Sequence, residues 1–238
     1  MGNEDCWAWN KTDKSCQVRL RDPEQRIALF HPYCSTGSAG VRGTKALING
    51  HHYWEISINE RIFGTSIMLG LATKEARLHL SGYVNLMGRD EYSWGLSHKG
   101  LLWHAGQHRP YTEAFKEFTP TTIGLYYDSI LGTLSYFKDG VNLGVAFSGL
   151  QNVAEPLYPM VCSTAAKTEM ALRTQRRDFQ SLQDRCRASL LSCITHRRQV
   201  EQLKLPIIVK RFITEELKDS YENTIFTTRY GDNCTDNV

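Results

Sequence analysis

The chain has 238 residues, 41% of them hydrophobic and 22% charged, which suffices for one large all-β domain with an appendage, or for two small domains, and argues against overall disorder. A net charge of +3 is too mild to make nucleic acid the main partner. Seven cysteines at irregular spacing, an odd number, exclude a disulfide framework, and no run approaches the ~18 apolar residues of a membrane span.

The opening MGNEDCWAWN has no basic stretch followed by an apolar one, as a secretory leader requires. The expectation is a cytoplasmic or nuclear chain with reduced thiols and no membrane partner. Charge is unevenly placed: residues 173–211 hold ten basic side chains against three acidic ones (Asp178, Asp184, Glu201), a local +7. Such a segment suits a solvated helix face, an acidic partner or nucleic acid.

From Trp7 to about Arg173, short runs rich in β-branched and aromatic residues alternate with Gly, Asn, Asp and Pro clusters, the pattern of an antiparallel sandwich. In His52 to Ile58 the alternation puts Trp54, Ile56 and Ile58 on one face and Glu55 and Ser57 on the other, predicting a half-buried strand. Ile123 to Phe147 reads as three meandering strands. A turn at Asp128 to Gly132 separates the first two, and Asp139-Gly140 marks a tight hairpin before the third. Pro156 and Pro159 flank Leu157 to Val161 and, lacking amides, predict an edge or end position for it.

After Arg173 the texture becomes helical. Asp178 to Cys193 has neither Gly nor Pro, and Leu182, Cys186, Leu190 and Cys193 share one helix face. Leu205-Pro206-Ile207-Ile208 closes the next segment, Val209 to Leu217 can form a second short helix, and residues 218–238 form a polar tail.

Chemistry-bearing patterns are weak. Arg42-Gly43-Thr44-Lys45 lacks the glycine spacing of a phosphate loop. His98, His104 and His108 have no Cys or carboxylate at ligand spacing and read as surface-loop histidines, and Cys193 with His196 reads as helix packing, so no metal site is expected. Neither a nucleophile elbow nor a carboxylate pair in a defined context is present, which leaves no catalytic residue and no cofactor to propose. A sandwich with functional loops at one end is instead a binding scaffold.

Several segments together resemble a SPRY (B30.2) domain: Gly50-His51-His52-Tyr53-Trp54-Glu55-Ile56, Met68-Leu69-Gly70-Leu71-Ala72, Gly132 through Leu143-Gly144, and Leu157-Tyr158-Pro159. Val41-Arg42-Gly43-Thr44-Lys45, Leu86 to Glu91, Ser93 to Ser97 and Tyr158 to Ala166 are more closely similar to the SPRY domain-containing SOCS box proteins, member 3 above all. The resemblance implies a bent, concanavalin-like antiparallel β-sandwich over residues 7–173 and a small helical SOCS box over 178–217. It also implies a substrate-recognition adaptor of a ubiquitin ligase, with no catalysis of its own, or else a scaffold or inhibitor that binds the same targets without assembling a ligase.

The same resemblance assigns site residues. Pro32, Thr65, Tyr83, Leu86 and the stretch Thr164-Ala165-Ala166 would face a short Asn-containing target peptide. Family members place an arginine just before the proline and Val-Trp-Gly after the Tyr-Pro strand; here these are Phe30 and Thr164-Ala165-Ala166. Without the guanidinium, an acidic residue in the ligand loses its natural partner. In the C-terminal segment, Leu182, Cys186 and Leu190 fit the elongin-binding pattern and imply elongin C and elongin B as partners. Leu205, Pro206 and Ile207 fit the cullin-contacting pattern and imply a cullin with its RING protein. There the second proline of the family pattern is replaced by Ile208, which weakens preorganisation.

Overall fold

The computed structural model describes residues 3–179, 186, 189–190, 193–194, 197–211 and 213. The chain divides into two compact units between Phe179 and Gln180, taken separately below.

The first unit contains sixteen strands: β1 (Asn3–Glu4), β2 (Trp9–Lys14), β3 (Val18–Leu20), β4 (Ile27–Phe30), β5 (Ser38–Gly43), β6 (His51–Ile58), β7 (Ile67–Ala72) and β8 (His79–Leu80). There follow β9 (Ser93–Ser97), β10 (Leu101–His104), β11 (Gln107–Pro110), β12 (Thr121–Asp128), β13 (Thr133–Lys138), β14 (Val141–Phe147), β15 (Tyr158–Ser163) and β16 (Glu169–Asp178). They form two eight-stranded sheets. One runs β14-β13-β12-β6-β16-β4-β3 with β1 against β16; the other runs β11-β10-β9-β7-β15-β5-β2 with β8 against β5. All pairings are antiparallel, as the alternating sequence predicts.

Between the sheets lie Trp9, Trp54, Ile56, Ile58, Leu69, Leu71, Ile123 and Leu125. The inward residues of β6 include the three that the alternation predicts, with His52 as a fourth on the same face, because a period of two turns every second side chain to the core. Tyr136 crosses the core, and its hydroxyl donates to the Leu69 carbonyl on the opposite sheet at 3.0 Å, so the buried phenol is satisfied. The three strands from Thr121 to Phe147 form with the expected turns. Asp139 (φ 49°) and Gly140 (φ 83°) both adopt the positive φ that a type I′ hairpin demands.

Three expectations are corrected. The segment with Pro159 is not an edge: β15 lies between β7 and β5. Pro159 is tolerated because the ladder to β5 begins one residue later, at Met160 opposite Arg42, so the proline occupies the strand's start. His98 is not a surface histidine. It is buried, its Nδ1 accepts the Ile67 amide at 3.1 Å, and desolvation lowers its pKa, while His104 and His108 lie in strands stacked on Trp94 and Trp103 at 4.6 Å each. Asp178 does not open a helix. It ends β16, opposite His51, so the strand runs past Arg173.

Every residue of β5, β7 and β9 is buried, since the outer face of the second sheet is also covered. A second cluster does this: Met68, Ala72, Met160 and Cys162 from the strands meet Ala76, Leu86 and Met87 from the segment that crosses over them. Burial pushes the Cys162 thiol up to about 12, so it behaves as a small apolar side chain. The same crossing segment carries Tyr83.

In the second unit, α1 spans Arg197–Gln202 and residues 207–211 are helical. Val200 and Ile213 are buried there.

Candidate functional site: a rim of four loops

The connections β4–β5, β6–β7, β8–β9 and β15–β16 meet at one end of the sandwich, held by hydrogen bonds that link residues up to 132 positions apart. The Tyr83 hydroxyl donates to the Ser35 carbonyl at 2.7 Å, and the Ser35 hydroxyl donates to the Thr164 carbonyl at 2.5 Å. Thr164 in turn closes on Ser66: its amide donates to the Ser66 carbonyl at 2.8 Å, and its Oγ1 accepts the Ser66 amide at 2.9 Å. Thus the loop carrying Thr65 is locked to the loop carrying Thr164, and that one to the loops carrying Pro32 and Tyr83.

Local chemistry explains the path of each loop. Ser38, at the start of β5, lies 2.7 and 2.6 Å from the Gly82 and Val84 carbonyls and accepts the Val84 amide at 3.1 Å, fixing the turn that presents Tyr83. Gly37 is required beside it, since a Cβ there would lie 2.2 Å from the Leu80 carbonyl oxygen. His31 joins β4 to the same rim through Nε2, 3.1 Å from the Ser163 carbonyl; desolvation lowers its pKa, so at neutral pH the ring donates as a neutral imidazole.

All seven residues that the sequence assigns to peptide contact lie in or beside these loops, but they do not all face outward. Thr65 and Tyr83 are exposed, and Pro32 and Ala166 are half-buried. Leu86 is only 3% exposed, packed in the outer cluster, and Thr164 and Ala165 are buried as well. The Thr164 hydroxyl is used up by Ser66. These three therefore support the rim from beneath, and the surface it offers is an aromatic ring, a hydroxyl and a proline. Phe30 lies wholly in the core, so no charge stands at that place.

Ser35, Ser38 and Ser66, which hold the rim together, are absent from the sequence-based assignment. Nothing in a loop serine's sequence context distinguishes a cross-loop tie from a solvated hydroxyl. Among the described residues no group of three or more His, Cys, Asp or Glu could hold a metal ion, and no helix is long and apolar enough to cross a membrane.

In the second unit Leu182 lies outside the described residues. Cys186 and Leu190 are helical and exposed, four positions apart in the sequence. Leu205 is half-buried, Pro206 is exposed, and Ile207 is 74% exposed; the Pro206 carbonyl accepts the Val209 and Lys210 amides at 3.0 and 3.1 Å, starting a further helical turn.

The SPRY domain family model matches residues 51–176, more than half the chain. Human SPRY domain-containing SOCS box protein 1 is 31% identical over 220 residues, covering 87% of this chain and 79% of that one. The chain belongs to the SPRY domain-containing SOCS box protein family. The Xenopus laevis relative, SPRY domain-containing SOCS box protein 3, is 34% identical over 214 residues, covering 89% of this chain and 58% of its own length. The chain thus spans under two thirds of the length of that member 3 relative. Among solved structures, the SPRY domain of human HERC1 superimposes with a TM-score of 0.56 at 16% identity, covering 70% of this chain and 98% of that one. The TRIM65 PSpry domain gives 0.55 at 19%, covering 71% and 90%. Both show the same SPRY sandwich.

Proposed function

We propose that the chain is a substrate-recognition adaptor of an elongin B/C–cullin–RING ubiquitin ligase, acting in the cytoplasm or nucleus. The rim holds a short, Asn-containing segment of a target protein, and the C-terminal helices dock on elongin C. The observation that carries the reading is the tying of the four loops around Tyr83 and Thr65 in a chain of this family. The Tyr83 ring is held by its own hydroxyl, and the loop carrying Thr65 by the adjoining Ser66 backbone, before any peptide arrives, which lowers the ordering cost of binding. Tyr83 can stack on a peptide plane, and the Thr65 hydroxyl can donate to or accept from a side-chain amide.

On this reading the chain performs no bond chemistry. It raises the local concentration of target lysines at a ubiquitin-charged enzyme, and the acceleration comes from proximity. Leu182, Cys186 and Leu190, spaced four apart, present one stripe to a groove, and burying one leucine there contributes about 1.5 to 3 kcal/mol before association costs. Leu205, Pro206 and Ile207 would face the cullin.

A second reading is favoured by one feature. Ile208 stands where the family pattern has a proline, so the cullin-facing segment is less preorganised, and a scaffold that binds targets without completing a ligase fits it. Capture of elongins B and C and of cullin by the full chain, compared with a Leu182→Pro, Cys186→Phe variant, separates the two. Elongins with cullin on the wild type alone support the ligase; elongins without cullin support the scaffold; neither partner on the wild type sinks both docking assignments.

A further inference from the structure

The loop between β11 and β12 also reaches this end of the sandwich: the Phe118 amide donates to the Ile62 carbonyl at 3.3 Å, in the β6–β7 loop. Its ring stacks on Phe63, with centroids 5.5 Å apart and planes 24° from parallel. Phe63 immediately precedes Gly64 and Thr65, and a Cβ on Gly64 would lie 3.9 Å from both Ala165 and the Thr164 hydroxyl. The ring pair therefore continues the rim from its Thr65 side.

Phe118 is 63% exposed and stands at φ 55°, a left-handed conformation that costs a bulky residue free energy and that Asn or Gly would adopt more cheaply. Its loop needs no such plug, since Phe115 and Ile62 already close the core beneath. Among the described residues, only Phe63 of the two rings has a cation beside it, the Arg61 guanidinium 5.6 Å from its centroid. The exposed charges of the two loops are Glu60, Glu113, Lys116 and Glu117, three acidic and one basic, with the half-buried Arg61 beside them, so the surroundings are mildly acidic. What distinguishes it is apolar surface, strained into view beside a polar rim.

We propose that Phe63 and Phe118 form an apolar subsite that takes an aromatic or aliphatic side chain flanking the recognised asparagine of a target peptide. The proposal rests on the peptide-binding reading above and adds the chemistry of the flank. It also accounts for recognition without the guanidinium: with Phe30 in the core, the flank is read by apolar burial instead of by charge.

The test is selection of a displayed peptide library, with one fixed Asn among randomised flanks, on the full chain and its variants, counter-screened against the same library with Gln in place of Asn. Wild type is expected to prefer the Asn library and to enrich an aromatic or aliphatic residue at one spacing from the Asn. Phe118→Asn keeps the Asn preference, loses the apolar one, and binds the best wild-type peptide about tenfold more weakly, while Phe118→Leu retains both. A melting temperature for Phe118→Asn within about 2 °C of wild type separates lost binding from lost fold. An unchanged apolar preference in Phe118→Asn, or a charged flank selected by wild type, overturns the subsite and leaves the peptide reading standing. No discrimination between the Asn and Gln libraries by wild type overturns both together.

Discussion

The Tyr83 hydroxyl donates to the Ser35 carbonyl across two loops at 2.7 Å while 54% of the residue remains open to solvent, so the ring is held from its tip and presented by its face. Tyr83→Phe removes the tie but keeps the ring. Affinity for an Asn-containing peptide should fall severalfold, by about 0.5 to 1.5 kcal/mol, with the unfolding midpoint unchanged. Tyr83→Ala removes the ring as well and should cost about 2 kcal/mol or more of binding. Titration calorimetry against one selected peptide reads both; equal affinities for Phe and Tyr at this position would show that the tie does not organise the rim.

Arg42 sets the stability of the other end of the sandwich. Its guanidinium is buried and meets Asp13 in two parallel bonds of 2.7 and 2.8 Å, with two more to the Thr73 and Ala76 carbonyls. Asp13→Ala leaves a buried cation half-satisfied and should destabilise the domain by about 3 kcal/mol in urea unfolding. Arg42→Lys cannot reproduce the fork and should lose a comparable amount. Neither change should alter peptide affinity in the folded fraction.

Acid should weaken the fold through buried histidine. Desolvation holds His52, only 1% exposed, at a pKa of about 4 against an ordinary 6.5, and His31 and His98 shift in the same direction. Because the folded value is the lower one, the unfolded chain binds the proton first. Stability is full above pH 6.5 and falls as the pH drops toward 4, with His52 accounting for about 3 kcal/mol at the acid end. His52→Gln should flatten that slope; unfolding curves of wild type and variant that stay parallel from pH 7 to about 4 would contradict the assignment.

Two glycines separate backbone strain from collision. Gly140 has φ 83° and nothing within 4 Å of a Cβ position, so Gly140→Ala should cost only the left-handed penalty, about 1 to 2 kcal/mol. On Gly70 a Cβ would fall 1.9 Å from the Trp94 carbonyl oxygen, inside the β7–β9 ladder. Gly70→Ala should therefore leave little folded protein, a contrast that soluble yield and circular dichroism resolve.

The sheets were legible where one residue type has one local meaning. Asp139-Gly140 specifies its hairpin because both positions need positive φ, and Trp54, Ile56 and Ile58 specify a buried face by their spacing. Pro159 misled because its cost depends on which neighbour needs the missing amide, a fact of register that a single strand does not carry. His98 misled likewise: the lack of a Cys or carboxylate at ligand spacing argues against a metal but does not show burial, and the Ile67 amide that its ring accepts lies in β7. Of the rim residues assigned through family likeness, Tyr83 and Thr65 are exposed whereas Leu86 and Thr164 are buried. Their exposure depends on loops distant in sequence. Phe118 gave no signal at all, since a lone aromatic in a loop looks like a core anchor until its backbone conformation and its exposure are both known.

The most direct measurement is quantitative affinity capture from cells with the proteasome inhibited, comparing the full wild-type chain with a Thr65→Ala, Tyr83→Ala rim variant. A two-ended adaptor predicts that both chains retain elongins B and C equally, while a defined set of other proteins is captured by wild type alone and accumulates in cells when the chain is depleted. An identical set on both chains would contradict recognition by the rim, whatever the C-terminal helices bind.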